Sequence, residues 1–307
     1  MLAVVGTTAT GKSTLAIALA ESVGGEIVSC DSTAVYRGFD IGTDKVPTSA
    51  RRGIPHHLID VADPTDTYTA ARYGRDAATA VRDVTARGRL PILVGGTGFY
   101  YRSLTRGLFP GPARDPALRT RLSRIARRRG VEWLHGWVAR HDPDSALRIK
   151  QRDEKRLVRA LEVWLQTGRT LTDHFTDTES PIAEYEVLTV ALTLDPATLE
   201  PRLARRVDEQ FAAGLLDEIE ALWAAGVPED AGPFRGLVYR QAIEHLQGTR
   251  DEPATRELII RENRRYARRQ LIWFRKEPNL HWIHQPGEDV NAYDATLRLL
   301  EAVARRG

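Results

Sequence analysis

Sulfur is scarce in this chain of 307 residues, which has one cysteine and one methionine. A single cysteine, Cys30, excludes an internal disulfide framework and a zinc site built from several cysteines, and it fits a reducing compartment. No apolar run approaches the roughly 18 residues that a membrane span needs. With 42% hydrophobic and 28% charged residues, the composition is that of a water-soluble globular protein, and no membrane role is expected. A first strand starting at Leu2 leaves no room for a secretory leader, so a cytoplasmic location is expected. Repeats, low-complexity stretches, sustained heptads and an exposed apolar seam are also missing, so the expected state is a monomer.

Net charge is small, at +3, but the arginines are clustered. Arg119, Arg121, Arg124, Arg127, Arg128 and Arg129 fall in eleven residues with no acid among them. From Arg261 to Lys276, a helical spacing of about 100° per residue puts Arg261, Arg264, Arg265, Arg268 and Arg275 on one arc. Ile259, Ile260, Tyr266, Ala267, Trp273 and Phe274 then take the other side. Such a face is either a solvated helix surface or a contact for a phosphate backbone.

Short apolar runs alternate with helical stretches, which predicts an α/β fold with a parallel sheet flanked by helices. The expected strands are Leu2 to Gly6, Glu26 to Asp31, His57 to Val61, Leu90 to Gly95 and Glu186 to Leu194. The alternation stops between Pro110 and Glu184. Three helices are expected there, Pro116 to Arg129, Val131 to Arg140 and Asp153 to Gln166, with Asp153 as N-cap and Gly168 closing the last. This divides the chain into a core, residues 1–110 with 185–307, and a helical insertion domain, residues 111–184. After Leu194 the pattern is mostly helical, punctuated by Gly226, Pro228, Gly232 and Pro233. The pair His56 and His57 has no third ligand at metal-site spacing and reads as strand-edge structure.

The strongest chemical signal is Gly6-Thr7-Thr8-Ala9-Thr10-Gly11-Lys12-Ser13. It is a complete G-x-x-x-x-G-K-S placed after an expected strand and before an expected helix. Its glycines let the backbone turn so that successive N–H groups and the helix N-terminus face one anion. Lys12 adds a point charge, and the Ser13 hydroxyl can ligate Mg²⁺. Such a loop holds a diphosphate or triphosphate. By itself it leaves open whether the phosphate is transferred, hydrolysed or expelled.

Other blocks follow the loop. Cys30-Asp31-Ser32-Thr33-Ala34-Val35-Tyr36-Arg37-Gly38-Phe39-Asp40-Ile41-Gly42-Thr43 is the first. Then come Pro55-His56-His57-Leu58-Ile59-Asp60, Gly95-Gly96-Thr97-Gly98-Phe99-Tyr100, Arg156-Leu157-Val158-Arg159-Ala160-Leu161-Glu162-Val163, Tyr239-Arg240-Gln241 and Arg268-Arg269-Gln270-Leu271-Ile272-Trp273-Phe274. In type and order these blocks resemble the tRNA dimethylallyltransferase family over nearly the whole chain. The resemblance implies a P-loop NTPase-like core. It also implies that N6 of the adenine 3′ of the anticodon attacks dimethylallyl diphosphate and that diphosphate leaves.

An amine delocalised into a purine ring gains from a carboxylate that takes its proton, and Asp31 matches the family's general base. From the residues alone, Asp31 could equally cap the following turn or position a Mg²⁺-bound water. The resemblance places Thr97 in the catalytic channel and matches Arg206 to the diphosphate-contacting arginine, alongside Gly6 to Ser13. Thr97 could also cap a helix. Arg202 and Arg206, four apart on one helix, can face the same partner. Implied tRNA contacts are Asp31, Ser32, Thr33, Ala34, Thr97, Arg119, Lys155, Arg156, Leu157, Val158, Arg159, Arg235, Gly236, Leu237, Val238, Tyr239 and Arg240. The adenine would be turned out of its stack to reach the site.

Two positions depart from the family pattern. Thr7 replaces the usual proline in the P-loop. Val238 replaces the usual glycine before Tyr239-Arg240, where a β-branched residue would resist a positive φ. The rival readings are a small-molecule kinase using ATP and a nucleic-acid-binding ATPase. For the ATPase, His57 to Asp60 would have to supply the strand and acid that hold the metal.

Overall fold

The computed structural model describes residues 1–305. One sheet of six parallel strands organises the larger of two compact units, formed by Met1–Thr105 and the chain from Pro181 onward. In chain order its strands are β1 (Leu2–Gly6), β2 (Gly25–Ser29), β3 (His56–His57), β4 (Leu90–Gly95), β5 (Leu188–Leu192) and β6 (Leu280–Ile283). Their spatial order is β3-β2-β4-β1-β5-β6. Every residue of β1, β2 and β5 is buried, as expected of parallel strands covered on both faces.

The helices follow from local signals. α1 (Lys12–Val23) starts at the P-loop and stops at Gly24, and α2 (Ala70–Ala86) is capped by the Thr69 hydroxyl. α3 (Gly98–Thr105) follows β4. Leu2 and Val4 point with Ile92, Val94, Val190 and Leu192 toward Leu15 and Leu19 of α1, with α13 (Val290–Ala304) packed beside them. On α2 the Tyr73 hydroxyl donates to Ser29 O at 2.8 Å, and on α3 the Tyr101 hydroxyl meets Thr189 Oγ1 at 3.0 Å.

The smaller unit, Arg106–Ser180, is entirely helical. It holds α4 (Pro116–Arg129), α5 (Val131–His141), α6 (Pro143–Arg148), α7 (Glu154–Thr167) and α8 (Leu171–Thr176). Asp115, Asp142, Asp153 and Thr170 each cap a helix through a side-chain oxygen, and Gly168 ends α7 in the left-handed region. Leu122, Leu134, Val138, Leu157, Leu161 and Val163 form its own core. The three expected helices are present. The added α6 and α8 have six residues each, too short to register as a period in the sequence.

After β5 come α9 (Pro196–Ala212), α10 (Leu215–Ala224), α11 (Tyr239–Leu246) and α12 (Glu252–Phe274). On α12, Ile259, Ala267 and Phe274 are buried while Arg261, Arg264, Arg265 and Arg268 are exposed, as the spacing predicts. Arg275 is the residue just past the helix.

The strand expectations need two corrections. The run His57 to Val61 forms a strand only at His56–His57, because Leu58 and Asp60 take positive φ values of 62° and 57° and turn the chain away. β6 was not expected, since its four residues alternate too briefly to stand out. Both unit boundaries lie a few residues before those expected from the sequence. Among the described residues no helix is long and apolar enough to cross a membrane.

Candidate active site

β2, β4 and β1 are neighbours in the sheet and run parallel, so the loops leaving their carboxyl ends meet at one edge. Those loops carry Asp31, Gly96-Thr97 and the P-loop. A cavity of about 470 Å³ opens there, also bordered by Asp44, Arg206, Val238 and Tyr266.

The P-loop is tied down on its inner side. Thr7 N donates to Leu192 O at 3.2 Å, Thr8 N to Gln270 Oε1 at 2.8 Å, and the Thr10 hydroxyl to Thr7 O at 2.8 Å. Gly11 turns the chain into α1 at φ 82°, and a Cβ there would lie 2.8 Å from Gly287 N. Among the described hydrogen bonds, none engages the N–H groups of Ala9 to Ser13. They lie at the positive end of α1, an arrangement suited to an anion, with the exposed Ser13 hydroxyl beside it.

Two cations lie against the loop. Lys12 Nζ donates to Thr7 O at 2.5 Å. Burial, and then the nearby Arg206, push its pKa down to about 7, against the pull of Asp31. Arg206 Nη1 donates to Thr8 Oγ1 at 2.5 Å, and its Nη2 pairs with Asp44. Its Nε is buried without a partner. An orphaned guanidinium N–H is costly unless an incoming acceptor satisfies it. Burial raises the Asp44 carboxyl to about 6, although Arg206 opposes the shift. Arg202 also reaches the loop, donating to Ala9 O at 2.6 Å while pairing with Glu288.

Asp31 sits two residues past Ser29, the end of β2. Its Oδ1 accepts from Thr33 N at 2.8 Å, Thr33 Oγ1 at 2.6 Å and Ala34 N at 3.2 Å. One oxygen therefore does cap the following turn, and no described hydrogen bond uses the other. Thr97 Oγ1 accepts from Ser32 N at 3.1 Å and faces Ser32 Oγ at 3.4 Å. Its side chain thus braces the Asp31 loop instead of capping α3. Tyr266 borders the same cavity: burial first, then Asp31, raises its phenol to about 12, while the Thr97 hydroxyl works against the shift. Cys30 is buried and its thiol is pushed up to about 12, which leaves it inert at neutral pH.

Val238 has φ 79° and ψ −63°. The valine has adopted the left-handed backbone that glycine favours. Gly236, Leu237 and Val238 border the cavity, whereas Tyr239 is 1% exposed. The Tyr239 hydroxyl donates to Glu218 Oε1 at 2.6 Å and accepts from Gly42 N at 3.1 Å. Arg235 and Arg240 are exposed.

In the helical unit, Lys155 and Arg156 are exposed, but Leu157 and Val158 face the core. Arg119 donates to the two oxygens of buried Glu162 at 2.7 and 2.8 Å, and Arg159 donates to the same carboxylate at 2.7 Å. Sequence reasoning missed Asp44, Gln270 and Tyr266 as parts of this site, and Glu218 as the group that holds Tyr239 and the Asp40–Ile41 backbone. Gln270 lies inside a block singled out for the resemblance, and Asp44 directly follows another.

A family profile described as IPP transferase matches residues 34–277. The chain is 46% identical to the tRNA dimethylallyltransferase of Solibacter usitatus, over 99% of this chain and 98% of the relative. It is 40% identical to that of Koribacter versatilis, over 98% of each. Among solved structures, the tRNA isopentenylpyrophosphate transferase of Bacillus halodurans superposes with a TM-score of 0.72 at 32% identity, covering 99% of this chain and 97% of the other. A eukaryotic dimethylallyltransferase described as acting on tRNA gives a TM-score of 0.78 at 26% identity, covering 98% and 77%. The match of fold, blocks and length together means that the chain belongs to the IPP transferase family, the family of the tRNA dimethylallyltransferases.

Proposed function

We propose that this chain transfers the dimethylallyl group of dimethylallyl diphosphate to N6 of the adenine 3′ of the anticodon, position 37 of tRNA, and releases diphosphate. The observation that carries the reading is the opposition of two charges in one cavity. The open N–H cradle, Lys12 and the unpartnered Arg206 Nε favour an anion on one side, and Asp31 offers a carboxylate oxygen on the other.

The diphosphate of the donor lies on the N–H groups of Ala9 to Ser13, where the α1 dipole, Lys12 and Arg206 stabilise the negative charge that grows as the C–O bond breaks. Arg206 exchanges Asp44 for phosphate oxygens, which also satisfies its Nε. The adenine amine attacks the allylic carbon, and the free oxygen of Asp31 takes its proton. Capping of the turn through the other oxygen fixes the carboxylate's direction. Thr97 holds the Asp31 loop through Ser32.

The fold implies Mg²⁺. The donors present suit it: the exposed Ser13 hydroxyl and nearby carboxylates are hard oxygen ligands, and magnesium needs only one or two of these beside phosphate oxygens. When bound, the ion would neutralise part of the diphosphate charge.

For the tRNA, exposed Lys155, Arg156, Arg235 and Arg240 serve as phosphate contacts. Arg119 keeps spare N–H groups beyond its bonds to Glu162, as does Arg159 beyond its bonds to Glu162 and Pro112 O, and Leu157, Val158 and Tyr239 act by shaping the backbone around them. Residues 31–34 and 236–238 border the space for the extruded adenine. The ATPase alternative loses its acid, because Asp60 lies beyond the end of β3 and pairs with Lys45 at 2.6 Å.

The test is nucleoside analysis of tRNA after incubation with the protein, Mg²⁺ and the donor. N6-dimethylallyladenosine from a tRNA with adenine at position 37, and none when guanine replaces it, is the expected result. Absence of the prenylated nucleoside in both would refute the proposal.

A further inference from the structure

Gln270 joins two loops of the site that the chain itself leaves unconnected. The β1–β4 ladder ends where Val5 pairs with Gly95. Beyond that point the two strands continue into the P-loop and into the Gly96-Thr97 turn. The Gln270 side chain, 6% exposed on α12, takes over there: its Nε2 donates to Gly96 O at 3.0 Å while its Oε1 accepts from Thr8 N at 2.8 Å.

A primary amide carries a donor and an acceptor in one rigid plane, so it can satisfy one carbonyl and one N–H at once. Both partners are buried, and losing the amide would leave two backbone groups unpaired. The fit is close on the other side as well. A Cβ on Gly96 would lie 2.1 Å from Gln270 Nε2 and 3.2 Å from Gly6 O, so a side chain at 96 and the amide at 270 exclude one another. Thr8, held by Gln270 through its N–H, also receives Arg206 on its hydroxyl, and Gly96 immediately precedes Thr97.

We propose that Gln270 is a positioning residue that sets the P-loop cradle against the Thr97 turn, and that position 96 is glycine because of this amide. The inference rests on the reading that the P-loop holds the donor's diphosphate. It acts through Thr8 and Gly96, without a contact to the reacting atoms.

The experiment measures binding of inorganic diphosphate with Mg²⁺ by calorimetry, together with kcat for prenyl transfer, in Gln270→Ala, Gln270→Met, Gly96→Ala and the double variant Gln270→Ala/Gly96→Ala. Thermal unfolding confirms that each variant is folded, and Gln270→Met keeps the volume while removing both hydrogen bonds. Each single change is expected to weaken diphosphate binding about tenfold, the size of one or two lost buried hydrogen bonds. The double variant is expected to bind no worse than about twofold below the weaker single one, since the added methyl meets no amide. A folded Gln270→Met that binds diphosphate as tightly as the unaltered protein would overturn the proposal, and so would losses that multiply in the double variant. If the unaltered protein fails to prenylate tRNA, the functional reading fails, while the diphosphate arm still decides the role of Gln270.

Discussion

Val238 should make glycine more stabilising than alanine at its position, the reverse of the usual order. At φ 79° and ψ −63°, its backbone lies in the strained γ-turn region. Holding a residue with a Cβ in such a region costs about 1–3 kcal/mol. The valine side chain is 3% exposed, so trimming it to alanine removes two buried methyl groups and costs about 1.6 kcal/mol, with the strain left in place. Going on from alanine to glycine costs about 0.5–1 kcal/mol of chain entropy and about 0.8 kcal/mol for the last buried methyl, but releases the strain. With strain at the upper end of its range the second step is favourable by about 1 kcal/mol, and Val238→Gly should melt about 2–4 °C above Val238→Ala for a unit of this size. Thermal and urea unfolding of both variants by circular dichroism would measure this. Val238→Gly melting below Val238→Ala would refute the reasoning, because it would mean that strain of this size is not stored at this position.

Four further predictions follow from the charges. Lys12, at about 7 in the free protein, must be protonated to hold diphosphate, so binding raises its pKa. The Kd for diphosphate should then weaken about tenfold per pH unit above 7, and Lys12→Met should remove that slope in calorimetry between pH 6 and 9. Asp31→Asn should lower kcat about a hundred- to ten-thousand-fold with the donor KM little changed, measured by steady-state kinetics. Burial raises the Glu162 carboxyl, but Arg119, Arg159 and the Asp115 N–H outweigh it and hold the group at about 2. Because this pKa is lowered, its stabilisation is present above the ordinary glutamate value and is lost as pH falls toward 2. Urea unfolding should show a loss between pH 5 and 3 that Glu162→Gln largely lacks. Arg261 and Arg268 are exposed on α12 and have no described ion-pair partner. Replacing both with alanine should weaken tRNA binding and reduce the magnitude of the slope of log K against log salt by about 1–2 in filter-binding titrations.

Much of this was legible in the chain because the P-loop, the Asp31 loop and the Gly95-Gly96-Thr97 turn each follow a strand of short, strongly apolar residues. Parallel pairing then brings their ends together. The Asp153 cap and Gly168 marked the last of the expected insertion helices equally well. What escaped the sequence depends on contacts between distant elements. Asp44 matters only because Arg206, on α9, reaches it, and Gln270 only because α12 crosses both β1 and β4 loops. His57 to Val61 reads as a strand by composition, but the left-handed residues Leu58 and Asp60 cannot be seen in an apolar pattern. Val238 shows the converse. The sequence marks it as a poor fit to a glycine site, and the packing of Phe39, Phe234 and Tyr239 around α11 accompanies the glycine-like backbone all the same.

The most direct measurement of the central claim offers tRNA two labelled donors in separate reactions with the protein and Mg²⁺: dimethylallyl diphosphate labelled in the allyl group, and ATP labelled at the γ-phosphate. Allylic label entering tRNA, with one diphosphate released per transfer, is the predicted result. Transfer or release of the γ-phosphate with no allylic label in tRNA would contradict it and return the site to a kinase or an ATPase.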